Sequence, residues 1–251
     1  MKRTVDSELL DKVNERAGRG EPVAVVRILG GNNQVVSVYD GELHPPIADK
    51  ELEAQVLGSV EALNENIADL VDVIDEKGSR ITLAIEIIRP ELELLIFGGG
   101  HVGQAVALIG ALTGYRVTVV DDREEFASRQ RLPDPAINLV VSDYASASER
   151  VNISTNTAVV IVTRGHQYDE LCLKSVIASS ASYIGMIGSR KRVLSVFKKL
   201  AGEGVSESAL KRVHAPIGLS IGARSPQEIG VAIVAEIINH VNNPGHGYKG
   251  E

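Results

Sequence analysis

Apolar residues recur along this chain in two different rhythms, and the change falls near Pro90. Before it the elements are mixed. Leu9, Leu10 and Val13 fall at helical spacing within residues 6–17, and Leu52, Val56, Leu57, Val60 and Leu63 line one face of a second helix over 49–64. The runs 23–29, 34–39 and 80–88 are rich in β-branched residues, and Gly30-Gly31-Asn32-Asn33 between the first two predicts a hairpin turn. After Pro90 short apolar runs alternate with helical stretches. Runs 92–97, 116–120, 137–141, 157–162 and 183–187 read as strands; 102–113, 168–179, 191–200 and 229–240 read as helices. The last helix carries its own start signal, with Ser225 as cap, Pro226 in the first helical position and Glu228 completing a capping box.

Continuous apolar runs belong to strands buried on both faces, and strands alternating with helices imply parallel crossover units. The expected fold is therefore α/β: a Rossmann-like, doubly wound parallel sheet over residues 90–251, preceded by a smaller α+β domain over 1–89. Composition agrees with a sizeable core. Hydrophobic residues make up 44% of the 251, yet aromatics only 4% with no Trp, so Val, Ile, Leu and Ala must fill the interior. A net charge of −7 argues against nucleic acid as a partner, because no basic excess is available to neutralise phosphates. Cys172 is the sole cysteine, which excludes an intrachain disulfide and a thiolate metal cage. Its setting between Leu171 and Leu173 reads as a small buried hydrophobe. No run approaches the ~18 uninterrupted apolar residues of a membrane span, and the opening segment lacks an apolar core. A cytoplasmic protein without membrane attachment is expected.

The chemistry concentrates after the first strand of the second region. Gly98-Gly99-Gly100-His101-Val102-Gly103 fits a dinucleotide turn, and it follows a buried strand and opens a helix. There the first glycine permits the tight turn, Gly100 lets backbone approach a phosphate, and Gly103 allows close helix–strand packing. Peptide N–H groups at the helix start attract an anion. Asp121 stands 23 residues after Gly98, at the end of the next strand, where a carboxylate can accept hydrogen bonds from a ribose diol. Asp122 shares that reading, and neighbouring Arg123 offers a phosphate contact instead.

Ligands of open α/β sheets sit beyond the carboxyl ends of strands, which brings in other residues. Asp143 follows the third strand and is expected to reach a base or ribose. Thr163, Arg164, His166 and Asp169 follow the fourth; His166 and Asp169 fit either an acid–base pair or, for Asp169, a helix cap. Gly188, Ser189 and Arg190, with Lys191, form a second candidate anion loop. The glycine-punctuated stretch 215–224 is a candidate cover for the crevice. No residue is assigned a catalytic role and no metal site is expected.

Taken in order, these segments resemble a known family. They are Leu95-Ile96-Phe97 leading into the glycine turn, Val119-Val120-Asp121-Asp122-Arg123, Thr163-Arg164-Gly165-His166, and Tyr183-Ile184-Gly185-Met186-Ile187-Gly188-Ser189-Arg190. Pro216-Ile217-Gly218-Leu219, Ile221-Gly222-Ala223 and Ser225-Pro226-Gln227-Glu228-Ile229 complete the series. The set closely resembles the XdhC/CoxI family of xanthine dehydrogenase accessory factors over roughly residues 90–240. The resemblance implies a cofactor chaperone more than a catalyst. Such a protein would bind molybdenum cofactor (molybdopterin), protect it during sulfuration, and deliver it to a molybdenum hydroxylase apoenzyme of the xanthine or CO dehydrogenase type. A cysteine desulfurase would be a further partner, and a homo-oligomer is expected. Two other readings stay open: an NAD-dependent oxidoreductase, and a nucleotide-sensing module using the same crevice. One departure stands out. Where the family carries a Gly-Ser-x-Pro-Arg segment after its first strand, this chain reads Arg27-Ile28-Leu29-Gly30-Gly31-Asn32-Asn33.

Overall fold

The computed structural model describes residues 7–18, 21–29, 34–63, 68–88 and 91–243, and the chain divides into two compact units, Met1–Pro90 and Glu91–Glu251. The first unit opens with α1 (Ser7–Gly18), β1 (Val23–Leu29), β2 (Val35–Tyr39) and β3 (Glu42–His44). It continues with α2 (Lys50–Ala62), β4 (Ala68–Ile74) and β5 (Arg80–Ile88). Its strands form one antiparallel sheet in the order β3-β2-β1-β5-β4. Val26, Ile28, Leu83 and Ile85 on one sheet face meet Leu52 and Val56 of α2, while Leu9 and Val13 of α1 cover Val23. Asp49 starts α2 by accepting the Leu52 N–H at 2.9 Å. The proposed hairpin turn at Gly30–Asn33 lies outside the described residues.

The hydrophobic pattern predicts neither β3 nor β4, for a physical reason. β4 is an edge strand, mostly exposed, and its alternation is blurred by Asp69 and Asp72. It is held by backbone pairing and by Asp72, which pairs with Arg80 and accepts from Thr82 Oγ1 at 2.7 Å. An edge strand with polar groups on both faces carries no two-residue rhythm.

The second unit opens with β6 (Glu93–Phe97), α3 (His101–Leu112), β7 (Arg116–Asp121) and β8 (Asn138–Val141). After a short 3-10 turn (Ala147–Glu149) come β9 (Thr157–Ile161), α4 (His166–Val176), β10 (Tyr183–Met186) and α5 (Arg190–Gly202). The short α6 (Glu207–Lys211), β11 (Val213–His214) and the long α7 (Pro226–Asn242) follow. All six strands are parallel, in the order β11-β10-β9-β6-β7-β8. The chain thus winds outward from β6 to β8, returns to the other side of β6, and winds outward again to β11. This is the doubly wound Rossmann-type order, and its switch point lies between β6 and β9.

The apolar run of β6 is explained by its two covered faces. Leu94 and Ile96 pack with Val106 of α3 and Ile233 of α7, whereas Leu95 and Phe97 pack with Leu173 of α4 and Val196 of α5. Alternate side chains of one strand serve two cores. α3 and α7 lie unusually close: a Cβ on Gly230 would come within 2.9 Å of the Ala105 Cβ. In the stretch 215–224, Ile217 is buried and the Leu219 N–H donates to the Ala232 carbonyl of α7 at 3.1 Å, while Ile221 stays exposed. Cys172 is fully buried, and burial pushes its thiol pKa up. Among the described residues no helix is long and apolar enough to cross a membrane.

The capping box of α7 is complete: Ser225 Oγ accepts the Glu228 N–H at 3.2 Å, and Glu228 accepts the Ser225 N–H at 2.9 Å. Ser225→Ala should lower unfolding free energy by about 1 kcal/mol, read as a shift in urea midpoint at constant slope. A change under a few tenths would mean that the box carries no net weight.

Candidate functional site

The glycines of the first turn have different tasks. Gly98 holds φ at +110°, and a Cβ there would sit 2.6 Å from the Val162 carbonyl oxygen. That position tolerates only glycine, because the end of β9 passes directly against it. At Gly103 a Cβ would lie 1.8 Å from the Gly98 carbonyl oxygen, and at Gly99 it would lie 2.4 Å from that of Phe126. Gly100 is the exception, with no atom within 4 Å of where a Cβ would stand. It faces open space at the start of α3, followed by exposed His101 and half-buried Val102.

Helix starts leave backbone N–H groups unpaired, and most helices here satisfy one with a side chain. Asp49, Ser189, Ser206 and Ser225 do this for α2, α5, α6 and α7. The N-caps of α3 and α4 are Gly100 and Gly165, and neither start has a side-chain hydrogen bond. These two starts follow β6 and β9, the adjacent strands at the switch point. Two helix starts without a side-chain cap, each carrying the positive end of a helix dipole, therefore flank the switch point.

The acidic residues are placed differently from expectation. Asp121 is fully buried and turned inward. Its carboxylate accepts the Gly99 N–H at 2.8 Å, the Arg123 N–H at 3.0 Å, and Arg123 Nε and Nη2 at 3.0 and 3.2 Å. Burial alone would raise its pKa, but the Arg123 and Gly99 hydrogen bonds outweigh it and hold the carboxyl below the ordinary value. Asp121 thus fastens the glycine turn to β7 and does not face a ribose. Arg123, clamped by Asp121 and stacked 3.5 Å over the Phe126 ring, is not free to take a phosphate either. Asp122 instead pairs outward, its Oδ2 lying 2.9 Å from Arg164 Nη2. Arg164 also donates to the Tyr168 hydroxyl at 3.1 Å.

Other expected residues also prove to be locally committed. Asp143 accepts from the Ala145 and Ser146 N–H groups at 3.1 and 3.0 Å and from Ser146 Oγ at 2.5 Å, so it builds its own turn rather than reaching toward a base. The Ser146 hydroxyl and N–H hold its pKa down. Thr163 Oγ1 donates to Asp169, which is fully buried and also pairs with Arg192. Asp169 thereby binds the end of β9 to the start of α5. Arg192 is the cation that matters structurally in the run 190–192, while Arg190 and Lys191 are exposed. Ser189 already caps α5 by accepting the Arg192 N–H at 3.3 Å, which removes a free donor from the second expected anion loop at Gly188. His166 is the first residue of α4, and its side chain lies outside the described residues. Among those described, no group of acidic, histidine or cysteine side chains could hold a metal ion.

These features define a Rossmann-type domain in which two glycine-started helices flank the switch point. Residues 94–237 match the family model described as the XdhC Rossmann domain, and the chain belongs to that family. It is 30% identical over 226 residues to the uncharacterized protein YqeB of Escherichia coli (strain K12), covering 84% of this chain and 41% of that one. It is 30% identical over 154 residues to a protein of Bacillus subtilis (strain 168) described as a probable xanthine dehydrogenase subunit, covering 61% and 44%. The molybdenum cofactor insertion chaperone PaoD of Escherichia coli (strain K12) is 26% identical over 149 residues, covering 59% and 40%. The chain spans about two-fifths of the length of these curated relatives. A crystal structure described as a xanthine dehydrogenase from Bacillus halodurans shares the fold, with a TM-score of 0.65 at 21% identity over 96% of this chain and 66% of that one.

The Asp121 anchor makes stability depend on acid. Its contribution is fully present above the unfolded carboxyl pKa of about 3.9 and is lost as pH falls through the depressed folded value. Asp121→Asn should cost about 1–3 kcal/mol at neutral pH and flatten the loss of stability below about pH 4. Chemical denaturation at several pH values reads both effects. An acid limb of equal slope in the two proteins would assign it to other groups.

Proposed function

We propose that this chain is a maturation factor that holds molybdenum cofactor, or a related nucleotide-containing ligand, in the switch-point crevice. It would assist the ligand's sulfuration or its insertion into a molybdenum hydroxylase of the xanthine or CO dehydrogenase type. The observation that carries this reading is the pair of helix starts at Gly100 and Gly165 without a side-chain cap, an arrangement that favours a phosphate-bearing ligand. Membership of the XdhC family supports the choice of ligand, as do relatives named as an insertion chaperone and as part of a dehydrogenase. The residues proposed to meet the ligand are Gly98–Gly100, His101 and Val102 from the first turn, and Thr163, Arg164 and His166 from the second. Asp121 and Arg123 hold that turn in shape. A sulfuration role would bring a cysteine desulfurase to the same complex.

The binding chemistry needs no catalytic side chain. Peptide N–H groups aimed at the anion would hold it without proton transfer, so the cargo can be released unchanged. Of the two features behind the NAD-dependent alternative, the glycine turn and Asp121, the carboxylate is occupied by Gly99 and Arg123.

Protein purified after co-expression with a molybdenum hydroxylase should carry molybdopterin, detected as its fluorescent oxidation product. Gly100→Asp places a negative group in the open space at the turn, and it should release the ligand while thermal unfolding stays near that of the parent. Ligand retained by that variant removes the turn from the site, and a parent unable to take up supplied molybdopterin overturns the proposal.

A further inference from the structure

We infer that Asp122 is a built-in stand-in for a ligand phosphate: it holds Arg164 across the mouth of the crevice until an anionic ligand takes its place. This inference rests on the crevice reading above and adds to it an exchange of partners at one arginine.

The topology makes the pair a bridge. Asp122 follows β7 and Arg164 follows β9, and these strands lie on opposite sides of β6. A contact of 2.9 Å between them must cross the carboxyl end of β6, where the Gly98–Gly100 turn leaves the sheet. Both uncapped helix starts border the same place. A ligand phosphate seated on those N–H groups would come within reach of the guanidinium that the bridge now holds.

The chemistry of the two adjacent aspartates shows which can let go. Asp121 is saturated by Gly99 and by both the backbone and the side chain of Arg123. Asp122 is not: one oxygen meets Arg164, while the other is buried without a hydrogen-bond partner, 3.6 Å from Arg123 Nε. Arg164 remains 42% exposed and makes a single contact to its carboxylate. Such a pair is weak and exchangeable. A phosphate offers the guanidinium two parallel hydrogen bonds and more charge. The Tyr168 hydroxyl, 3.1 Å from Arg164 Nη2, and its ring keep the guanidinium stationed at the mouth during the exchange. Asp122 is therefore a competitor of the ligand and Arg164 its recipient, which gives the two neighbours of the crevice opposite effects on affinity.

The test is a titration of the full chain with two probes, ADP and inorganic pyrophosphate, across Asp122→Asn, Arg164→Ser and the double variant. Removing the competing charge should tighten binding of both probes about tenfold, and removing the recipient should weaken it about tenfold. The double variant should match Arg164→Ser alone, because Asp122 then has nothing to withhold. Weaker binding by Asp122→Asn would make that carboxylate a direct ligand contact and overturn the inference. A gain that persists in the double variant, or no binding of either probe by any protein, would also overturn it. If pyrophosphate follows the expected pattern and ADP does not bind, the exchange stands and the nucleotide reading of the crevice fails.

Discussion

The hydrogen bond from the Gly99 peptide to buried Asp121 ties together everything at the carboxyl edge of the sheet. The glycine turn has few side chains with which to hold itself, so its shape must be imposed from outside. Asp121 imposes it from β7, the Val162 carbonyl limits it from β9, and the Gly98 carbonyl lies against Gly103 at the foot of α3. A buried carboxylate is costly unless fully bonded, and Arg123 completes its shell while remaining at the surface edge. The backbone of the glycine turn is thus kept in place by a buried charge from the neighbouring strand.

Much of the architecture was legible because it rests on rhythm. The two-sided burial of β6 and β9 appears as unbroken apolar runs, and the start of α7 is written in Ser225, Pro226 and Glu228. What escaped reading has no rhythm to offer. β3 has three residues, β11 has two, and β4 is an exposed edge. At the candidate site, residue types were legible but side-chain directions were not. Two neighbouring aspartates look alike in sequence, yet Asp121 is the last residue of β7 while Asp122 already lies in the following bend. Asp121 therefore turns to the sheet's own backbone while Asp122 reaches Arg164. Arg192 was hidden for a similar reason, since its partner Asp169 lies 23 residues earlier in another helix. The missing signal for the uncapped starts was available: glycine at 100 and 165 stands where the other described helices of this unit place serine.

Recognition through peptide N–H groups, as proposed for this domain, would leave the ligand broad. Such groups read a phosphate's charge and size, not the group attached to it. Discrimination would then come from side chains around the two helix starts, among them Arg164, Asp122 and Tyr168. Family membership narrows the choice in a way that the crevice does not.

The close seat of α3 against α7 has a bearing on how the domain is made. α3 carries the glycine turn at its start, yet its back is covered by a helix that begins more than a hundred residues downstream. During synthesis β6, the glycine turn and α3 emerge early and stay half-clad, with Ile96 and Val106 lacking their final cover until Ile233 arrives. Long-range closure of this kind delays folding. The glycine turn therefore gains its last support only when the whole domain has formed.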